Sequence, residues 1–343
     1  MRYRETGVDV HRGDAVKRDI AARIRATWGD AVVPVPGGFC GVMRWPAGER
    51  WMAATMDGVG TKLHLALAEG RLPGACADLV YHCADDLLAH GARPLAFLDY
   101  IAQARLEPEV VRDAVDGMAR ACAEVGAALL GGETAQMPDT YLPGVVDVAG
   151  CMIGEIDPVL FRDGSRVLPG DRLLGLASDG LHTNGFSLAR KVLTVSELAS
   201  GDPLPGGDGE TLADALLAPH RWYGRAVLPT LTDPGLHALA HVTGGGIAGN
   251  LVRVLPARAR AIVATRAWER PALFRWIAAA GPVPEDDMRD TFNLGIGMVL
   301  VVAADAAGRV SAALAAAGER VHEIGRVEEG ERGVAWEDAG GRG

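Results

Sequence analysis

Short apolar runs alternate along this chain with stretches in which apolar residues recur every three or four positions. Such runs are typical of β-strands, and the wider spacing is typical of amphipathic helices. The sequence predicts strands over residues 51–56, 94–101, 127–130, 147–156, 172–177, 297–303 and 320–327. It predicts helices over residues 16–28, from 63 onward, and over 78–90, 109–125, 186–195, 220–231 and 306–317, with another after 246. This alternation in both halves indicates an α/β (α+β) fold.

Turn-forming residues mark a domain boundary near the middle of the chain. Residues 161–171 contain the sequences DGS and PG, which are typical of connecting segments. We therefore predict an N-terminal domain over residues 1–165 and a C-terminal α/β domain over residues 166–343. Residues 200–210, rich in Gly, Pro and Asp, predict a surface loop, and the glycine-rich tail predicts a disordered end.

Composition and charge exclude several classes of protein. Of 343 residues, 49% are hydrophobic, which suffices for the cores of two domains. A net charge of −10 argues against a general nucleic-acid-binding protein, because such proteins carry basic patches. No segment offers about 20 uninterrupted apolar residues, so we expect no membrane association. The first residues contain no apolar run typical of a signal peptide, so the expected location is the cytoplasm.

The five cysteines predict core thiols in a reducing compartment rather than a disulfide framework. Their number is odd and no two of them form a CxxC pair. Cys40, inside a glycine-rich stretch, is the one cysteine that we consider as a candidate nucleophile.

Glycine-rich turns carrying an acid or a hydroxyl follow several of the predicted strands. They lie at residues 57–62, 131–134, 178–185 and 243–246. Glycine lets the backbone approach an anion closely and direct its N–H groups toward it. Asp57 and Lys62 together suggest a metal–phosphate site, with the carboxylate on Mg²⁺ and the ammonium on phosphate. The sequence is not a Walker A loop, and a tight turn with two exposed charges remains the alternative.

The predicted helix over 78–90 carries a second group of candidate metal ligands. Helical spacing places Asp78, His82 and either Asp85 or Asp86 on one face. Like charges there repel unless a cation neutralises them, and carboxylate oxygens suit Mg²⁺. A solvated acidic face is the alternative interpretation, and a histidine such as His82 is often merely packed or exposed.

Further candidates lie in the remaining glycine-rich turns. Glu133 follows a predicted buried strand and two glycines, which suits a Mg²⁺ ligand or a simple turn acid. His182 could act as a general acid or base or bind phosphate, and Asn184 could bind an amide or a ribose hydroxyl. Thr243 and the three glycines that follow it resemble a phosphate-binding nest.

Taken in order, these motifs resemble the aminoimidazole ribonucleotide synthetases, the phosphoribosylformylglycinamidine cyclo-ligase family, over nearly the whole chain. One such motif is weak, but the ordered set is specific. The matching stretches are 3–10 (YRETGVDV), 57–62 (DGVGTK), 86–94 (DLLAHGARP), 97–100 (FLDY), 131–138 (GGETAQMP), 147–150 (DVAG), 182–190 (HTNGFSLAR), 241–246 (HVTGGG) and 291–298 (TFNLGIGM).

The resemblance implies ATP-dependent ring closure in purine synthesis. Members of the family convert formylglycinamidine ribonucleotide and ATP into aminoimidazole ribonucleotide, ADP and phosphate, after phosphorylating the formamide oxygen. It also implies a homodimer in which the mixed N-terminal sheets join across the interface into a barrel. Such chemistry needs positioned groups and neutralised phosphate charge.

The resemblance implies the following site residues. The Mg²⁺ ligands would be Asp57, Asp86 and Glu133, with Asp78 a weaker fourth. The catalytic residues would be Asp57, Lys62, which would bind phosphate, and His182. The ATP-binding residues would be Gly58, Gly60, Thr61, Lys62, Gly131, Gly132 and Thr134. The substrate-binding residues would be His182, Asn184, Thr243, Gly244, Gly245 and Gly246.

Several positions depart from the family pattern. Asp85 stands where Asn is usual, and Gln136 where Glu is usual. His90 and Arg93 replace a usual Gln and Glu, and Val145-Val146 replaces an acidic–aromatic pair. The alternatives are a kinase of the same fold such as thiamine-monophosphate kinase, a selenophosphate synthetase using Cys40, or a catalytically silent nucleotide-binding protein.

Overall fold

Two six-stranded sheets, one in each half of the chain, organise the protein. The computed structural model describes residues 1–2, 5, 23–35, 37–45 and 48–338. The first sheet has the order β1-β2-β3-β6-β4-β5. Its strands are β1 (Val32–Val33), β2 (Gly41–Arg44), β3 (Trp51–Gly58), β4 (Ala92–Gln103), β5 (Ala128–Gln136) and β6 (Val146–Ile156). β4 and β5 are parallel and the other neighbours are antiparallel, so the N-terminal sheet is mixed, as predicted.

The first helix, α1 (Lys62–Ala68), packs against α2 (Leu72–Leu88), and α2 and α3 (Pro108–Val125) cover one face of this sheet. α3 begins at a proline and ends at Gly126, which has a φ of 77°, as the sequence predicted. α2 and α3 pack closely, since a Cβ at Gly117 would lie 2.0 Å from the Pro73 carbonyl oxygen. The buried positions of β6 alternate along the strand, so one face of the sheet contacts the helices.

The opposite face of the first sheet carries exposed apolar side chains. Met56 and Leu98 both lie opposite Cys151 on β6, so all three share one face. Leu130 lies beside them on β5 and is 66% exposed. The prediction of a buried strand over 127–130 is therefore wrong in its burial: β5 is an edge strand with little covering it among the described residues. The strand also continues through residues 131–134, which do not form a turn.

The second sheet is almost entirely antiparallel, with the order β12-β9-β11-β7-β10-β8. Its strands are β7 (Arg172–Ala177), β8 (Leu236–His241), β9 (Ala259–Ala264), β10 (Ile296–Val302), β11 (Val321–Glu329) and β12 (Gly333–Glu337). The helices of this half are α4 (Phe186–Val195), α5 (Leu212–Leu216), α6 (Gly224–Thr230), α7 (Gly246–Leu251), α8 (Ala272–Ala280), α9 (Glu285–Thr291) and α10 (Ala307–Ala316). Every residue of β10 is buried, which matches its uninterrupted apolar sequence.

The predicted α/β (α+β) fold class is confirmed, and the structure shows that the second sheet is mixed as well. The helix predicted over 78–90 begins six residues earlier, at Leu72, and the helix predicted over 220–231 begins at Gly224. The sequence did not predict β8, β9 or β12. Most of the helix predicted over 16–28 and the tail beyond 338 fall outside the described residues, although residues 23–25 are helical. None of the helices in the described ranges combines the length and apolar character needed to cross a bilayer.

Candidate active site

α2 lies between the two halves of the molecule, and its polar residues are buried there. Apart from Pro73 and Gly74, all of its 17 residues are buried. Those buried positions include Asp78, His82, Asp85 and Asp86, so the interpretation as a solvated acidic face is wrong. Buried carboxylates are costly without partners, and the C-terminal half supplies several of them.

Lys62 and Asp78 form a fully buried ion pair at this junction. The Lys62 ammonium contacts Asp78 Oδ2 and donates to the His182 carbonyl oxygen at 2.8 Å. The backbone N–H of His220 donates to Asp78 Oδ1 at 2.8 Å. Lys62 is 1% exposed. The structure therefore places Lys62 on a protein carboxylate, and both Asp78 oxygens already accept from the protein.

Asp57 and Asp86 face the same imidazole, that of His82. Asp57 lies near the end of β3, and its Oδ2 is 2.9 Å from His82 Nε2, while Asp86 Oδ2 is 3.8 Å from that nitrogen. His82 Nδ1 is 2.5 Å from Thr183 Oγ1 in the C-terminal half. Burial acts to raise the pKa of Asp57, but the hydrogen bond and charge of His82 outweigh it and lower that pKa.

This pair of carboxylates has the donor chemistry that Mg²⁺ requires. Carboxylate oxygens are hard ligands, and Mg²⁺ is usually held by one or two carboxylates together with water and substrate phosphate. The Asp57 side chain is 45% exposed, so incoming phosphate oxygens could reach its carboxylate. Asp86 is also held by a second histidine, because His241 Nδ1 lies 2.8 Å from its Oδ1.

The structure does not bring Glu133 to this pair. In the sheet, Asp57 is opposite Gly150, Gly150 is opposite Asp99, and Asp99 is opposite Gly132. Three strand spacings of about 4.8 Å each therefore separate Asp57 from the residue before Glu133. Gly131, Gly132 and Thr134 lie on the same edge strand, β5. A Cβ at Gly132 would meet the Asp99 carbonyl oxygen at 2.2 Å, which explains the glycine there.

The residues predicted to bind nucleotide at 58–61 lie between β3 and α1. Gly60 has a φ of 68° and open space where a Cβ would be, so glycine is required by its conformation alone. Thr61 Oγ1 lies 3.0 Å from Ser187 Oγ of α4. This turn therefore also contacts the C-terminal half.

The two glycine-rich loops of the C-terminal half face each other. A Cβ at Gly244 would lie 3.2 Å from Asn184 Oδ1, so the structure brings these two predicted substrate-binding residues together. Asn250, buried on α7, donates its amide to the carbonyl oxygens of Thr243, Gly244 and Gly246. Asn250 thus holds the 243–246 loop, a role that the sequence interpretation missed because nothing in the spacing distinguishes it from other helix residues.

His182 does not point into open space. Its side chain is 1% exposed, its φ is 59°, and its ring stacks on that of His220 with centroids 4.1 Å apart. The His241 ring lies 5.3 Å from the His220 ring. The sequence interpretation assigned no role to His220 or His241, although His241 lies in the HVTGGG motif. No spacing rule links these histidines, because they come from three separate loops and strand ends.

Asp85 is buried against this group of histidines. Its Oδ1 accepts from the Tyr223 N–H at 3.2 Å, and its Oδ2 is 3.3 Å from His220 Nε2. Burial raises the pKa of Asp85 well above its usual value, and the neighbouring charges of Asp86 and Glu319 add to the rise, while the Tyr223 hydrogen bond opposes it. Burial therefore disfavours the ionised form of Asp85 in the folded protein.

Replacing Asp85 with asparagine should stabilise the protein at neutral pH. Above the usual aspartate pKa, Asp85 ionises in the unfolded chain but not in the folded one, so rising pH favours unfolding until the folded pKa is reached. This costs about 1.4 kcal/mol for each pH unit in that interval. The asparagine side chain cannot ionise and keeps an acceptor for the Tyr223 N–H. Urea unfolding at pH 5 and 7.5 should show an advantage for Asp85→Asn that grows with pH.

The exposed Asp116→Asn on α3 serves as the control for this measurement and should show no growing advantage. If Asp85→Asn were equally or less stable than the wild type at both pH values, the raised pKa of Asp85 would be contradicted.

All five cysteines are free. Cys40 is buried, and burial together with the Asp86 charge raises the pKa of its thiol, so it is poorly suited to act as a nucleophile.

Comparisons with known proteins relate both halves to one family. The family described as "AIR synthase related protein, N-terminal domain" matches residues 37–156. The family described as "AIR synthase related protein, C-terminal domain" matches residues 169–337. The phosphoribosylformylglycinamidine cyclo-ligase of Myxococcus xanthus is 43% identical over 332 residues, which are 96% of each chain. The chloroplastic cyclo-ligase of Arabidopsis thaliana is 41% identical over 98% of this chain and 83% of its own.

Solved structures share the fold at lower identity. The protein tt0281 from Thermus thermophilus has a TM-score of 0.64 and 24% identity, covering 93% of this chain and 96% of its own. Thiamine-monophosphate kinase from Stenotrophomonas maltophilia has a TM-score of 0.61 and 19% identity, covering 93% and 95%. Thermotoga maritima PurL, complexed with ADP, has a TM-score of 0.56 and 16% identity, covering 85% of this chain and 42% of its own.

Proposed function

The chain belongs to the AIR synthase family, and from this membership we propose that it is an ATP-dependent cyclo-ligase that converts formylglycinamidine ribonucleotide into 5-aminoimidazole ribonucleotide. The observation that carries the proposal is the end-to-end likeness to phosphoribosylformylglycinamidine cyclo-ligases, at 43% identity over 96% of both chains. The likeness to thiamine-monophosphate kinase, at 19% identity, extends to the fold alone.

In the proposed reaction the γ-phosphoryl group of ATP passes to the formamide oxygen, and ADP is released. A nitrogen of the amidine side then attacks the formamide carbon, the bond from that carbon to the phosphorylated oxygen breaks, and phosphate leaves as the ring closes. The protein contributes mainly by positioning the two substrates and neutralising phosphate charge.

We propose that Asp57 and Asp86 hold Mg²⁺, which would neutralise the charge of the ATP phosphates. His82 supports the proposal because its Nε2 faces both carboxylates, and its contact with Thr183 ties them to the C-terminal half. Glu133 remains a proposed third ligand that would require nucleotide or another subunit to bridge the distance along the sheet. Asp78, engaged with Lys62, is the weakest of the four.

We propose Lys62 and His182 chiefly as positioning residues. The Lys62 ammonium holds the His182 carbonyl oxygen, so it fixes the start of the loop that carries Thr183 and Asn184. For Lys62 to bind phosphate as well, its ammonium would have to leave Asp78.

The remaining predicted contacts are kept as proposals. Gly58, Gly60, Thr61, Gly131, Gly132 and Thr134 would contact ATP. Asn184, Thr243, Gly244, Gly245 and Gly246 would contact the substrate or its phosphate. The facing positions of Asn184 and Gly244 support a shared binding surface for one ligand.

We propose a homodimer formed through the exposed face of the first sheet, in which the two sheets form the barrel that the resemblance implies. Met56, Leu98 and Leu130 expose apolar surface there, and an exposed apolar patch marks an interaction site. The N-terminal domain over residues 1–165 would then serve both ATP binding and dimerisation, and residues 166–343 would form the C-terminal domain. We propose the cytoplasm as the location, although the Arabidopsis relative is described as chloroplastic.

Replacing Leu98 with arginine should weaken the dimer at least about 30-fold, since a charge would be buried without a partner at the centre of the interface. Sedimentation equilibrium across a dilution series measures the change. Val159→Arg, at an apolar residue that is 82% exposed and lies off this sheet, is the control and should leave the association unchanged. Equal association of both variants would argue against this face as the interface.

The activity is tested by incubating the protein with ATP, Mg²⁺ and formylglycinamidine ribonucleotide while following ADP and the aminoimidazole product together. The proposal expects both to form in equal amounts and only when the substrate is present. Nucleotide binding without product would contradict it and favour the silent nucleotide-binding alternative. ADP formation with thiamine monophosphate instead would favour the kinase.

A further inference from the structure

Three buried imidazoles meet beside α2, and the reaction described above assigns no proton-transfer or bond-forming step to their ring nitrogens. His182 precedes the loop that carries Asn184, His220 precedes α6, and His241 ends β8. One nitrogen from each ring lies within 4.8 Å of the others. All three side chains are at least 98% buried.

Most nitrogens of this cluster have no hydrogen-bond partner among the described residues. Both ring nitrogens of His182, both of His220 and Nε2 of His241 are buried without one. A buried polar atom without a partner is unfavourable, so several in one place call for an explanation. A bound cation with a high affinity for imidazole nitrogen would satisfy them together.

The Asp86 carboxylate stands behind one of the three rings, as in many metal sites, and the Asp85 carboxyl group, whose ionised form burial disfavours, stands behind a second. His241 Nδ1 lies 2.8 Å from Asp86 Oδ1, which leaves its Nε2 free on the other side of the ring. His220 Nε2 faces Asp85 Oδ2 at 3.3 Å. A carboxylate on the far nitrogen fixes the ring orientation of a metal-ligating histidine and makes it a stronger donor.

The cluster is electrically suited to a cation other than a proton. Burial lowers the pKa of His182, His220 and His241, and the neighbouring cationic groups lower it further, while the Asp86 hydrogen bond opposes the fall at His241. The rings are therefore neutral near pH 7, and neutral imidazole is the form that binds metal.

We propose that His182, His220 and His241 form a binding site for one transition-metal ion of the Zn²⁺ class, distinct from the Mg²⁺ site at Asp57 and Asp86. Three imidazole nitrogens suit Zn²⁺ or Co²⁺, whereas Mg²⁺ prefers oxygen. Tetrahedral ligands at about 2.0–2.1 Å from Zn²⁺ lie about 3.3 Å apart, so the rings need to approach by roughly 1.5 Å or less. The stacked rings of His182 and His220 also need to turn so that their in-plane lone pairs converge on the ion. The ion would link two loops and a strand end of the C-terminal half next to α2.

Cobalt(II) is the probe, because its visible absorption is intense when three nitrogens hold it in a tetrahedral site and weak when it is hydrated. Full-length protein is first treated with a chelator, then titrated with Co²⁺ in the presence of excess Mg²⁺. We expect one Co²⁺ per chain with the tetrahedral spectrum, displacement by one Zn²⁺, and a higher melting temperature in the Zn²⁺-bound form.

His220→Asn tests the assignment while keeping a polar side chain of similar size. It should lose the tetrahedral spectrum and bind Co²⁺ at least about 100-fold more weakly. The matched control is His64→Gln, at an exposed histidine on α1, which should bind like the wild type. Circular dichroism and the melting temperature without metal establish that both variants are folded. If His220→Asn does not fold, His220→Ala takes its place in the experiment.

The proposal would be overturned if the wild type bound no stoichiometric Co²⁺ or showed only the hydrated spectrum. It would also be overturned if His220→Asn retained the wild-type affinity and spectrum. That second result would move the ion to the neighbouring group of His82, Asp86 and His241, which also lie close enough to share one. None of these outcomes depends on turnover, so the metal site is tested separately from the cyclo-ligase activity.

Discussion

Asp57→Asn is expected to lower the rate of aminoimidazole ribonucleotide formation by about 10²–10³-fold, because it removes a negative charge from the proposed Mg²⁺ site. The folded structure should change little. The asparagine side chain can still accept from the Gly58 N–H, as Asp57 Oδ1 does at 2.7 Å, and position 57 is nearly half exposed. Steady-state assays of ADP and product at several Mg²⁺ concentrations measure the effect, and thermal unfolding verifies the fold.

Asp113→Asn provides the matched control, since it makes the same chemical change at an exposed position on α3. It should retain wild-type turnover. If Asp57→Asn also retained it, Asp57 would have no part in neutralising phosphate charge. If turnover were lost together with the fold, the main role of the contact between Asp57 and His82 would be to stabilise the folded structure.

Lys62→Ala should have the largest effect on stability in this protein, about 3–5 kcal/mol, because it leaves the Asp78 carboxylate buried without its cation. Both partners are almost fully buried, so water cannot replace the ammonium without opening the junction between the halves. The His182 carbonyl oxygen loses its donor as well. Urea unfolding of both halves, followed by fluorescence and by circular dichroism, measures the loss.

Two further variants show whether the loss of stability comes from the broken Lys62–Asp78 ion pair. Lys191→Ala removes a half-buried lysine from α4 and should change the free energy of unfolding by less than about 1 kcal/mol. The double variant Lys62→Met, Asp78→Asn removes both charges and should recover much of the lost stability. If Lys62 also contacts phosphate during turnover, the double variant stays inactive after its stability is restored. An unchanged stability of Lys62→Ala would contradict the buried ion pair.

Local sequence determined those elements whose signals lie within a few neighbouring residues. The apolar runs of β3, β4, β6, β7, β10 and β11 were each predicted within a few residues of their bounds. α3 was predicted almost completely, because Pro108 can begin a helix and Gly126 can end one in a left-handed conformation. The spacing placed Asp78, His82 and either Asp85 or Asp86 on one helical face, and in the structure His82 Nε2 lies 3.8 Å from Asp86 Oδ2.

Burial was harder to predict, since it depends on what lies opposite a segment. β5 begins with an apolar run but lies at the sheet edge, whereas α2 carries several charged residues and is almost wholly buried. A hydrophobicity pattern describes one segment and not its neighbours in space. For the same reason the sequence could not distinguish a solvated acidic face from the paired one that the structure shows.

By itself, the sequence determined the fold class, the family and the identity of Asp57, Asp86 and Asn184 as candidates, because ordered motifs and local periodicity are properties of the chain alone. The tertiary structure alone decided which partner each buried group has: Lys62 with Asp78, Asp57 with His82, and His220 beside Asp85. It also decided that His182, His220 and His241 meet. These contacts join residues far apart in sequence, and their partners are selected by the cost of leaving buried charges and polar atoms unpaired, which no local pattern records.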